Sequence, residues 1–519
     1  MGHSRSLLIL FLILFSVNSY SQFVPFGFWK KLSLFISQQA YVKAVNSGAG
    51  DLFGQAVSIS HDTLVVGVPS EDSNLTTITN GPTASANNSA ATSGAVYVYR
   101  RSGSIWVQEA YIKASNAASL DSFGQSVAIS GDTLVVGAPF EDSNQTTITN
   151  GTTASSDNSA SSSGAVYVYQ RTGITWAQQA YIKAANADAN DSFGNSVVID
   201  GETIVVSSTN ESSAQTNITN GTAASADNSA NSAGAVYVYQ RSGGIWNQEA
   251  YIKAANSEAF DQFGKSIAIS GDTLVVGSTN ESSAQTTITN GTAVSFDNSA
   301  LSTGAVYVYF RTSTIWVQQA YIKPPVLSSG DTFGHSVSIS GNTVVVGAPN
   351  EDSNQTFITS GFFASADNSA NNAGAVYVYQ RTGVSWAQEA YIKAANSGPG
   401  DLFGWSLAIS GDIIAVGAYE EDSNQIGVLN GMTASFDNSL ATSGAAYVYK
   451  RSGGIWNQIA FIKASNPDSN DNFGMSMSLS GNTLAVGARN EASNATTING
   501  DQFNNSSTQT GAVYVFTAY

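Results

Sequence analysis

From residue 53 onward the dipeptide Phe-Gly begins at residues 53, 123, 193, 263, 333, 403 and 473, a constant step of 70 in a chain of 519 residues. A repeat this regular leaves few folds open, because each unit must bury its apolar face against its neighbours and the series must stack or close. Other signatures keep the same step. An Asp stands two residues ahead of every Phe, from Asp51 to Asp471, and Tyr-(Val/Ile)-Lys recurs from Tyr41 onward, with Phe461 replacing the Tyr once. No linker interrupts the seven units.

Each unit reads as strands. In the second, Phe123-Gly-Gln-Ser-Val-Ala-Ile-Ser130 alternates larger side chains with Gly, Ser and Ala, the period-two pattern of a strand with one crowded face. Gly131-Asp132 makes a two-residue hairpin turn. Leu134 to Ala138 is a continuous apolar run suited to a strand covered on both faces, and Pro139 ends it. Ala165 to Tyr169 is a third strand; after the turn around Arg171-Thr172-Gly173, Trp176 to Lys183 is a fourth. The unit is thus expected to be a four-stranded antiparallel meander. Only 11 % of residues are charged, and Gly, Ser, Thr and Asn, which favour turns, fill the difference. Between Pro139 and Gly164 lie 24 residues, mostly Ser, Thr, Asn, Asp and Gly, and the 46 that remain match one propeller blade. The expected fold is all-β, a seven-bladed β-propeller whose small-faced strands line a central channel. A parallel β-helix is the alternative, but its repeats are far shorter.

The ordered motifs Asp-x-Phe-Gly-x-Ser, Val-Val-Gly-Ala-Pro (Val135 to Pro139, Val345 to Pro349) and Gly-Ala-Val-Tyr-Val-Tyr resemble the FG-GAP repeat of the integrin α-subunit β-propeller, over roughly residues 38–517. Some copies depart at the second-strand end, as at Ser208-Thr209, Ser278-Thr279 and Ala488-Arg489. The resemblance implies that Phe-Gly opens the innermost strand and that Tyr-Ile-Lys is outermost. Closure then follows from counting. The chain stops after the third strand of unit seven, while an unpaired outer-strand sequence, Gln38 to Lys43, precedes the first Phe-Gly. That strand is expected to pair beside Ala512 to Phe516.

Integrin-like repeats often carry a calcium loop of Asp-x-Asp-x-Asp-Gly type between the first two strands. Only Gly131-Asp132 stands there in this chain, so those ligands have no counterparts. Another calcium site is a candidate in the long loops, where Glu141, Asp142 and Asp157, Glu351, Asp352 and Asp367, and Glu421, Asp422 and Asp437 offer hard oxygens. The same residue types cap turns, a reading favoured by Asn210-Glu211 and Asn280-Glu281, which break the Glu-Asp pair without disturbing the repeat. No cofactor is required by either reading. The recurring Asp of Asp-x-Phe-Gly is expected to cap the turn into the inner strand. Lys183, Arg171 and their equivalents are expected near the turn between the outer two strands, paired with acids or carbonyls.

His3 and Arg5 precede the apolar run Leu7 to Val17 and then Ser19-Tyr20-Ser21, the pattern of a secretory signal peptide over residues 1–21, with a signal anchor as the alternative. A lead-in over 22–37 and one propeller over 38–519 complete the plan. An exported, Cys-free chain must be held by packing alone. With 20 basic against 37 acidic side chains it lacks the basic clusters that bind nucleic acid, and no further segment is apolar enough to span a bilayer. It is expected to be a monomer. Of 14 Asn-x-Ser/Thr sequons, 13 lie in the long loops, among them Asn74, Asn144, Asn150, Asn210, Asn220, Asn280, Asn290, Asn354 and Asn494. These are glycosylation candidates if a eukaryotic secretory route makes the protein.

Catalytic signatures are few: His61 and His335 lie in different units, and no nucleophile elbow, Walker loop or zinc helix occurs. The function read from the sequence is a secreted, non-catalytic binding or adhesion module. Its ligand is an extracellular protein or glycan met by the long loops, residues 70–93 and their equivalents, with calcium as a candidate aid. A propeller hydrolase or lyase, and a structural matrix or coat component, are the alternatives. Asymmetry separates binding and catalysis from the structural reading, because a site needs some blades to differ.

Overall fold

In blade 2, the inner strand Ser126–Ser130 turns at Gly131-Asp132 into Thr133–Ala138, as the sequence suggests, and Ala165–Thr172 and Thr175–Ile182 follow outward. A fifth strand is new. Ile148–Asn150, in the middle of the long loop, pairs antiparallel with Ala180, Tyr181 and Ile182 on the outer edge. The four-strand expectation is therefore corrected: six of the seven sheets have five strands. The extra strand was hidden because Ile-Thr-Asn is too short to show an alternation, and it covers an edge that would otherwise invite pairing. The computed structural model describes residues 34–519, so the signal-peptide expectation lies outside the described residues; Phe35–Tyr519 forms one unit.

Closure occurs as counted. Ile36–Val42 pairs antiparallel with Ala512–Ala518, Tyr41 facing Tyr514, and supplies the outer strand of blade 7. It begins two residues earlier than the expected boundary at 38. Each core cluster spans a seam between two blades. Phe123 is fully buried among Tyr167, Tyr169 and Trp176 of its own blade and Val65, Val96 and Val98 of blade 1. Its ring meets Tyr167 edge-on at 5.2 Å, the arrangement aromatic quadrupoles favour. The seam between blades 7 and 1 is filled in the same way, with Val513 and Val515 beside Phe53 and Tyr97.

Inside the ring, the small face of the inner strand is turned toward the next blade rather than the channel. Ser126 Oγ donates to Gly194 O at 2.8 Å, and a Cβ on Gly137 would stand 2.1 Å from the same oxygen. The channel is instead walled by strand edges and by side chains such as Val127, Ile199, Ile269 and Met477, around a cavity of about 350 Å³. At the inner hairpins a ring of side-chain acceptors runs around all seven seams. Ser60, Ser130, Asp200, Ser270, Ser340, Ser410 and Ser480 accept from the backbone N–H of Gly131, Gly201, Gly271, Gly341, Gly411, Gly481 and His61, at 2.7–3.2 Å.

Candidate functional site: the loop face and its seams

The long loops leave the second strands at the Phe-Gly end of the blades, and their first residues are anchored. Lys183 is buried at the far end of the outer strand from the Arg171 turn, so its expected position is corrected. Its Nζ donates to Glu141 Oε2 at 2.9 Å and to Ser163 Oγ at 2.7 Å. Tyr181 OH and Asn116 Nδ2 donate to Glu141 Oε1 at 2.8 and 3.0 Å, and Ser143 N to Oε2 at 3.1 Å. Burial pulls the Lys183 ammonium down from its ordinary value while Glu141 holds it up. The same Lys–Glu pair stands in all seven blades at 2.6–2.9 Å. Removing one partner of such a pair strands a buried charge.

The carboxylates of Glu141, Glu351 and Glu421, three of the calcium candidates, balance Lys183, Lys393 and Lys463. The aspartates are committed to turns. Asp142, Asp352 and Asp422 accept from Ser162, Asn372 and Thr442 N at 2.7 Å, holding those residues at φ 49–54. Ser212 and Ser282 do the same where the Asp is missing. Asp157, Asp367 and Asp437 are exposed and accept from the hydroxyls of Ser159, Ser369 and Ser439, contacts that help hold the carboxyls below their ordinary range. Among the described residues no three acidic, His or Cys side chains come together. Asp121, as expected, caps its turn, accepting from Ala118 N at 2.8 Å. Burial lifts its carboxyl to about 7, and Glu141 and Asp142 add to the rise. Perturbed acids usually flag active sites, but this one recurs in every blade at about 7 or 8.

The sequons divide by environment. Asn150, Asn220 and Asn290 use their amides on the next blade: Nδ2 donates to the carbonyl, and Oδ1 accepts from the N–H, of Trp246, Trp316 and Trp386. Asn210, Asn280 and Asn354 donate to Ser192 Oγ, Phe260 O and Ser369 Oγ. Asn74, Asn144 and Asn494 are exposed. Arg171 stays at the opposite end, bonded to Asp132 and reaching Thr63 Oγ1 of blade 1 at 3.0 Å, with its guanidinium 5.3 Å from the centre of the Trp176 ring.

Against this uniform frame, blades 4 to 6 differ. The residue after Phe-Gly, at the loop-side mouth of the channel, is Gln55, Gln125, Asn195, Lys265, His335, Trp405 and Met475 around the ring. His335 lies 4.3 Å from Trp405, which meets Tyr419 at 4.7 Å. Burial and the nearby Lys265 charge lower the imidazole to about 4, so it stacks as a neutral ring at neutral pH. Exposed apolar side chains gather in the same sector: Phe296 and Leu301 in loop 4, Phe357, Phe362 and Phe363 in loop 5, Ile426, Met432 and Phe436 in loop 6. The remaining loops carry Phe140 and Phe503. Val326 also replaces, in the connection into blade 5, the Asn that elsewhere bonds the buried Glu. Sequence reading of the average unit passed over these positions; lining up the units at the 70-residue step finds them.

Among solved structures, the WD40 domain of coronin from Toxoplasma gondii is similar with a TM-score of 0.40 and 8 % identity, covering 94 % of this chain and 86 % of that one. No curated protein matches the sequence. The FG-GAP repeat family model matches seven times, at residues 36–99, 106–169, 176–239, 246–309, 316–379, 386–449 and 456–516. Each match opens in an outer strand, crosses one seam and ends in the third strand of the next blade, so the seven matches tile the ring, and the chain belongs to the FG-GAP repeat family.

Proposed function

We propose that the protein is a secreted, non-catalytic binding module that docks an extracellular protein on the loop face of blades 4 to 6. One observation carries the reading: the exposed Phe, Met, Ile and Leu side chains of the loops concentrate in that sector, which also holds the aromatic stack of His335, Trp405 and Tyr419. Exposed apolar patches of this kind mark interaction surfaces, and aromatic residues and Met are favoured at protein interfaces. The seven-fold repetition of the shifted aspartates supports a structural rather than catalytic role for them. Secretion rests on the Leu7 to Val17 run. In this reading the binding does not depend on calcium, and the protein donors already on the loop carboxylates support that. An array of extracellular-matrix proteins and glycans, probed with and without calcium, tests this. Signal on protein spots that ignores calcium and falls at least about tenfold in Trp405→Ala is expected. Signal on glycan spots alone, or signal that Trp405→Ala leaves intact, contradicts it.

A further inference from the structure

At five seams a carboxamide bridges neighbouring blades. Asn80, Asn150, Asn220, Asn290 and Asn430, each ending a fifth strand, accept from the N–H of Trp176, Trp246, Trp316, Trp386 and Ile36 at 2.7–2.9 Å. Their Nδ2 groups donate back to the carbonyls of the same residues at 3.0–3.4 Å. The seam between blades 5 and 6 is different. Ser360 holds the position, too short to reach across, and the fifth strand contracts to Thr359–Ser360. The backbone N–H and C=O of Trp456 therefore lack the clamp that Trp386 and Trp316 have. A cavity of about 320 Å³ opens beside them, lined by Phe357, Ser360, Met432, Ile455 and Trp456. Phe357 stands where loops 1, 2 and 4 have Thr, and Phe362 and Phe363 stack on each other at 4.2 Å just beyond Ser360.

We propose that this seam takes an extended peptide segment of the protein partner, which supplies from outside the acceptor and donor that Asn supplies from within at the sister seams. The chemistry of the seat selects the occupant. One N–H and one C=O on the same edge of a single strand residue are matched by a carboxamide, or by one residue of an antiparallel strand. The apolar walls of Phe357 and Met432 suit a hydrophobic side chain next to that residue. Strand addition is open here because the fifth strand of blade 6 covers only part of that blade's outer edge: Val428–Asn430 pairs with Ile462, Phe461 and Ala460 alone and leaves the stretch at Trp456 uncovered. This inference rests on the reading that blades 4 to 6 face a protein.

The full chain, selectively labelled with 15N-tryptophan, tests it by titration with the peptide Gln-Thr-Thr-Ile-Thr-Asn-Gly-Thr, the clamp segment of blade 4 at residues 285–292. A saturable shift of the Trp456 amide signal is expected, with Trp176 and Trp246 unmoved. Ser360→Asn, which restores the internal clamp, should remove the response, and Phe357→Thr should weaken it about tenfold. Trp106, at the seam between blades 7 and 1 where Asn499 is turned back onto Tyr41 of its own blade, serves as the control without aromatic walls and should not respond. A silent Trp456 at millimolar peptide, or an equal response in Ser360→Asn, overturns the proposal. If the array signal survives in that case, the docking face stands and only the seam is wrong.

Discussion

Gly124 sits at φ +93, and a Cβ there would lie 2.6 Å from Ala95 O of the preceding blade, so both its conformation and its position exclude a side chain. Gly124→Val should destabilise by at least about 3 kcal/mol, the sum of left-handed strain and overpacking. Chemical denaturation checks this, and unchanged stability would mean that the seam can open. Asp121 gives a prediction in pH. Its folded value, about 7, is raised above the unfolded value of 3.8. The stability it contributes is thus fully present below about pH 4 and lost as pH rises through 7. Asp121→Asn keeps an acceptor for Ala118 N and mimics the protonated acid. Its melting temperature should match the parent near pH 4 and exceed it near pH 8; equal melting at both pH values would place the carboxyl in water. The role of Asp121 was legible because one residue type at one spacing recurs seven times. Glu141 reads in the sequence as half of a Glu-Asp pair of candidate ligands. Only the folded chain shows that the partner of Glu141 is Lys183, 42 positions away, and that Asp142 does a separate job that Ser212 takes in its own blade.

The strands of each blade carried their own signals: alternation, a continuous apolar run, a Gly-Asp turn. The fifth strand carried none, since its stability lies in pairing with Ala180 to Ile182 and in one side chain bonded to another blade. Twenty-four residues that read as one polar loop are therefore two anchored segments with a short strand between them. Truncating the clamp at Asn150→Ala should cost about 1–3 kcal/mol, because it leaves the N–H and C=O of Trp246 unpaired. Hydrogen exchange at the Trp246 amide should rise locally, while the inner strands stay protected. Unchanged protection at Trp246 would show that the clamp is incidental. The same logic makes glycosylation selective: exposed Asn74, Asn144 and Asn494 are expected to accept glycans in a eukaryotic host, and Asn150, Asn220 and Asn290 are not. Peptide mapping of the expressed protein reads the difference, and full occupancy at the clamp positions would contradict the bonding described here.

Closure at the scale of the ring depends on the strand Ile36–Val42, which completes blade 7 and places Val42 in the seam with blade 1. Removing residues 22–44 exposes the edge of Ala512–Ala518 and should lower the melting temperature and drive self-association; an equally stable monomer would show that the ring does not need it. The ring itself was readable from a count of motifs. Its functional sector was not, because the repeat that reveals the fold draws attention to what the blades share, and a binding face lies in what they do not. A scan of one position around the ring tests the docking face most directly. Gln55, Gln125, Asn195, Lys265, His335, Trp405 and Met475 are each changed to Ala, and capture on the matrix-protein array is measured for every variant. The prediction is that capture collapses for Lys265, His335 and Trp405 and persists for Gln55, Gln125, Asn195 and Met475. Equal losses around the ring, or none at any position, would contradict the claim that the loop face over blades 4 to 6 is where this protein meets its partner.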